Sequence, residues 1–105
     1  MQVDPSGTLL LRGELDIATV QDLADKIDEI LVPGKPVILD LAQLTFLDSS
    51  AIHCLFKTWY SSGQPVVLLN TTPSIRRILE LGGPEPEAWV FDGERSSSTD
   101  TEASR

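Results

Sequence analysis

The sequence is poorest in residues that make cross-links and hold metals. It has one cysteine, Cys54, and one histidine, His53. A single thiol excludes an intramolecular disulfide and fits a reducing compartment. His53 and Cys54 are adjacent, so on a helix they point about 100° apart and form no metal-ligand set. No metal and no cofactor is expected. Basic residues are also scarce: 8 against 16 acidic ones, a net charge of −8. That excludes nucleic acid as a partner, because little is available to neutralise a phosphate backbone. No run reaches the roughly 18 apolar residues of a membrane span. Met1-Gln2-Val3-Asp4-Pro5 has neither the basic region nor the apolar run of a leader. The expectation is a cytoplasmic protein, off the membrane, with nothing that demands more than a monomer.

What is there suffices for one domain. A chain of 105 residues with 41% apolar side chains can bury a core without staples. Residues 1–92 alternate apolar blocks with turn residues. Residues 93–105 carry one alanine as their only apolar side chain, so they are expected to form a disordered tail.

The folded part reads in order. Thr8 to Gly13 is a strand, with Asp4-Pro5-Ser6-Gly7 as a turn and Met1 to Val3 as a short partner strand. Val20, Leu23, Ile27, Ile30 and Leu31 fall on one helical face, and Pro33-Gly34-Lys35-Pro36 ends that helix. Val37 to Leu41 is a nearly continuous apolar strand that runs into a turn. A second helix covers about Ser49 to Ser61, with Ile52, Leu55, Phe56 and Trp59 as its core face. Val66 to Leu69 is a further buried strand. Thr72-Pro73 starts a third helix, which directs Ile75, Ile78 and Leu79 inward and ends at Gly82-Gly83. Trp89-Val90-Phe91 is a last short strand. The order β-β-α-β-α-β-α-β predicts an α/β fold, a mixed sheet of four to five strands with three to four helices. Strands joined through helices are expected to be parallel.

The chemistry concentrates at Asp48-Ser49-Ser50. These residues put two hydroxyls and a carboxylate at a helix start, where backbone N–H groups are unpaired and the field is positive. One serine is expected to cap the helix and the other to face outward. A phosphate there would add about −1.5 to −2 charges to the local surface. Ser and Asp are also favoured capping residues regardless of function, so the cluster by itself reads first as a cap. Asp48, Ser49 and His53 are residue types of hydrolase triads. Yet Ser49 and His53 share one helix, and no G-x-S-x-G elbow is present, so no enzyme is expected.

Four segments together resemble the STAS domain, in its bacterial anti-anti-sigma factor branch. They are Gly13-Glu14-Leu15-Asp16-Ile17-Ala18-Thr19; Val37 to Leu41 with Leu44-Thr45-Phe46-Leu47-Asp48-Ser49-Ser50; Gly63-Gln64-Pro65-Val66-Val67-Leu68; and Pro73 to Leu81. The resemblance implies an anti-sigma factor antagonist that binds an anti-sigma factor of the histidine-kinase-like ATPase fold and frees a sigma factor. It implies phosphorylation of Ser49, directly after the signature aspartate, as the off switch, and a PP2C-type phosphatase as its reversal. It implies a contact surface of Asp16, Asp48, Ser49, Ser50 and His53. The family often continues the signature as D-S-S-G-x-G, and here those glycines are Ala51 and His53. His53 fills space a glycine would leave open, which bears on partner identity. Stand-alone STAS-like proteins also serve as subunits of transporter ATPases or bind small ligands. That is the alternative reading, with Ser49 structural and docking constitutive.

Overall fold

The computed structural model describes residues 1–82 and 86–92. The expected tail, 93–105, and the helix-ending Gly83 lie outside them. Five strands form one mixed sheet in the order of the chain: β1 (Gln2–Val3), β2 (Leu9–Leu15), β3 (Ile38–Leu47), β4 (Val66–Leu69) and β5 (Trp89–Asp92). β1 pairs antiparallel with β2, and every later pair is parallel. Three helices make the crossovers: α1 (Val20–Ile30), α2 (Ser49–Ser62) and α3 (Pro73–Gly82). A 3-10 turn at Pro86–Ala88, for which the sequence pattern carries no separate signal, leads into β5. α2 touches both α1 and α3, so the helices share one layer. The fold class is the expected α/β one.

Period-two patterning sets which face of the sheet the helices cover. Leu9, Leu11, Leu39, Leu41, Val66, Leu68 and Trp89 are buried, while Leu10, Ile38, Val67 and Leu69 on alternate positions are only half buried. Leu23 and Ile27 of α1 and Ile75 and Leu79 of α3 close the core from the helical side. Leu9, Leu23, Leu39 and Leu68 lose all solvent contact, and burying a side chain of that size contributes about 1.5–3 kcal/mol each.

Two expectations need correction. The central strand does not stop at Leu41 and turn; β3 runs ten residues, through Leu47. Register shifts against β2 fall between Leu10 and Arg12 and between Gly13 and Glu14. Each shift breaks strict alternation, so the buried leucines of the second half, Leu44 and Leu47, come three apart. The buried arc of α2 is also wider and rotated from the one expected. Ile52 and Leu55 are buried as predicted, but Ala51, Cys54, Thr58 and Ser62 join them, while Phe56 and Trp59 are half buried. The reason is α1, which packs along that side of α2. The buried Thr58 hydroxyl donates to the Cys54 carbonyl at 2.9 Å, which satisfies it within its own helix. Gly63 ends α2 in the left-handed region, φ 75°, as a helix C-terminal glycine.

Candidate functional site

The site follows from the sheet. β2 and β3 are parallel neighbours, and Leu15 at the end of one lies opposite Leu47 at the end of the other. The segments leaving both strands therefore emerge side by side at the carboxyl edge of the sheet. The Asp48 N–H donates to the Leu15 carbonyl at 3.0 Å and joins them.

Asp48 caps α2. Its Oδ1 accepts from the Ser50 N–H at 2.9 Å and the Ala51 N–H at 3.2 Å. The expectation that a serine would cap the helix is therefore corrected. A carboxylate one position earlier reaches both unpaired N–H groups, and its charge suits the positive helix start. The Ser50 hydroxyl donates to the same Oδ1 at 2.5 Å. That bond is the main cause holding the Asp48 carboxyl below its ordinary range; the N–H groups of Ala51, Ser50 and Ile17 act in the same direction, and partial desolvation opposes them. Ser50 is thus half buried and tied into the turn.

Ser49 differs. It is the first residue of α2 and is exposed. Its hydroxyl forms no hydrogen bond among the described residues. The cap that consumes Asp48 and Ser50 leaves this oxygen facing solvent.

Asp16 lies in the neighbouring loop. Its Oδ1 accepts from the Ala18 N–H at 3.0 Å and the Thr19 N–H at 3.2 Å, so the half-buried carboxylate shapes the lead into α1. Thr19 is the N-cap of α1 by position, but its hydroxyl donates to the Glu14 carbonyl at 3.1 Å. His53 is exposed one turn beyond Ser49 on α2, and no hydrogen bond joins the two among the described residues. Asp48, Ser49 and His53 form no relay. Beneath His53, burial pushes the Cys54 thiol up, with nearby Lys57 opposing. No group of three or more His, Cys, Asp or Glu among the described residues could hold a metal ion. No helix among them is long and apolar enough to cross a membrane.

Two exposed apolar residues that the sequence pattern does not single out join this surface. Ile17, directly after Asp16, is 78% exposed, and Phe46, two residues before Asp48, is 43% exposed. Isolated apolar residues in a loop and at a strand end resemble core residues in sequence. The register sets Phe46 opposite Glu14 and Leu47 opposite Leu15, so Ile17 and Phe46 both lie at the edge of the sheet from which Ser49 emerges.

The sequence profile of the STAS domain matches residues 2–97. The chain belongs to the STAS domain family. A STAS-domain containing protein of Pseudomonas aeruginosa (strain UCBPP-PA14) is 29% identical over 77 residues, covering 70% of this chain and 76% of that protein. Among solved structures, the anti-sigma factor antagonist SpoIIAA in its unphosphorylated form superimposes with a TM-score of 0.55. The match covers 89% of this chain and 79% of SpoIIAA at 20% identity, which establishes a shared fold. In this STAS domain the signature segment is the end of β3 and the first turn of α2, where Ser49 is exposed.

Proposed function

We propose that this chain is an anti-sigma factor antagonist, a binding module switched off by phosphorylation of Ser49. The observation that carries the reading is the free, exposed Ser49 hydroxyl between two neighbours that are bonded to each other. Its partner is an anti-sigma factor of the histidine-kinase-like ATPase fold, which is also the kinase. A PP2C-type phosphatase reverses the step, and the exchange takes place in the cytoplasm. The contact surface comprises the Asp16–Ala18 loop with Ile17 as an apolar anchor, the turn at Asp48 to Ser50, and the exposed flank of α2 with His53.

The physics of the switch is favourable on both sides. A phosphate at the first position of α2 meets the positive end of the helix, an interaction worth about 0.3–1 kcal/mol, so the fold tolerates it. The same group adds about −1.5 to −2 charges to a surface the partner must cover. Burying an unpaired charge costs several kcal/mol. One modification thus preserves the domain and ends the complex.

The test is to incubate the protein with candidate anti-sigma ATPases and ATP, map phosphate by mass spectrometry, and compare wild type with Ser49→Ala and Ser49→Asp. Phosphate on Ser49 with loss of binding by Ser49→Asp is expected. No phosphate, together with undiminished binding by Ser49→Asp, would return the protein to constitutive docking of the kind found in transporter complexes.

A further inference from the structure

The exposed flank of α2 has a charge sign opposite to that of the whole molecule. The helix contains no aspartate or glutamate, and its charged or protonatable side chains besides Cys54 and Tyr60 are His53 and Lys57. On a chain with 16 acids and 8 bases this is a local reversal. Helical spacing places Ser49, His53, Lys57 and Tyr60 on successive turns of one flank, and all four are exposed. Lys57 makes no ion pair among the described residues. The acid facing it is Asp28 of α1, which lines the groove between the two helices together with Lys57. Tyr60 is 70% exposed, and its ring packs against Trp59 at 5.0 Å between centroids. That contact orients a large amphipathic ring toward solvent, a residue type enriched at binding hot spots.

We propose that this flank docks an acidic segment of the partner protein, with partner carboxylates opposite Lys57 and His53 and an apolar contact on Tyr60. The inference rests on the reading of Ser49 as a switch and deepens it by giving the partner's chemistry at α2. Charge complementarity selects the occupant. Lys57 and His53 attract carboxylates, while the acidic remainder of the surface repels the extended phosphates of nucleic acid or an anionic membrane. A phosphate on Ser49 would add about −1.5 to −2 charges one turn from His53. It would compete for the His53 ring N–H and the Lys57 ammonium and repel the partner's carboxylates together.

The experiment places a photo-crosslinking phenylalanine analogue at Tyr60 of the full chain in its native host. The cross-linked peptide is sequenced. A segment of net negative charge is expected, with the yield cut about tenfold by Lys57→Glu and unchanged by Lys26→Glu on α1. Thermal melts confirm that each variant folds. A segment of net positive charge, a nucleic-acid or lipid adduct, or a Lys57→Glu yield within about twofold of wild type would overturn the proposal. Ser49→Asp separates the two readings. If Lys57→Glu removes the cross-link and Ser49→Asp does not, the flank stands and the switch falls; the reverse result sinks the flank and keeps the switch.

Discussion

At the start of α1 the Asp16 carboxylate accepts from the N–H groups two and three residues on, those of Ala18 and Thr19. At the start of α2 Asp48 does the same with Ser50 and Ala51. In both turns the residue directly after the aspartate is pushed outward: Ile17, 78% exposed, in one and the exposed Ser49 in the other. The turns differ in what they present. One offers an apolar side chain suited to a pocket, the other a hydroxyl suited to modification. Because β2 and β3 are parallel neighbours, the two are presented from the same edge. Under the proposed function, an apolar anchor beside a modifiable hydroxyl suits a contact that must form and be cancelled.

The largest expected effect breaks the symmetry at Ser49. Ser49→Asp should weaken partner binding by about a hundredfold or more, since a carboxylate would be buried without a counter-charge. The same variant should melt no lower than wild type, because an acid at a helix start is favourable. Calorimetric titration and thermal melts of one preparation check both. A matching loss of stability would mean that Ser49 is structural. The next effect tests the other turn. Ile17→Ala should cost about 1–3 kcal/mol of binding, as hot-spot truncations do, and leave the melting temperature unchanged. Binding equal to wild type would remove Ile17 from the contact.

The comparison also explains what sequence alone could convey. Strand and helix identities follow from period, and Leu39, Leu23 and Ile75 sit in the core as their spacing requires. Ser49 was legible because Asp-Ser-Ser before an apolar helix is a local signal. The second half of β3 was not, because register shifts replace alternation with spacing that resembles neither a helix nor a strand. Ile17 was invisible for a different reason. Its place beside the turn into α2 follows from the pairing of Leu15 with Leu47, residues far apart in the chain. Nor could propensity choose between Asp48 and a serine as cap, since all are favoured there and the geometry decides.

A smaller effect tests the Asp48 cap by pH. The Asp48 carboxyl is held below its ordinary value, chiefly by the Ser50 hydroxyl. A carboxyl whose value is lower folded than unfolded stabilises the fold above its unfolded value, about 3.9, and loses that contribution as pH falls through the folded value. Asp48→Asn keeps an acceptor oxygen and removes the charge. It should melt a few degrees below wild type at neutral pH, with the difference shrinking as pH drops below about 4. Melts across that range check the sign. A difference that stays constant with pH would assign the cap to geometry rather than charge.

The smallest effect is the most direct statement about Ser49. Its hydroxyl is exposed and bonds to nothing among the described residues, so removing it should cost the fold almost nothing. Ser49→Ala replaces a residue of moderate helix propensity with the best one at the first helical position. Its stability should lie within about 0.5 kcal/mol of wild type, the range of surface substitutions that break no contact. Ser50→Ala, by contrast, removes the bond to Asp48 and should be measurably less stable. Chemical denaturation of the pair provides the reading. Two adjacent serines with the same chemistry would then divide between holding the turn and being displayed by it. Equal losses at both positions would mean that the Ser49 hydroxyl has a structural partner, and that it is not held in reserve for another protein.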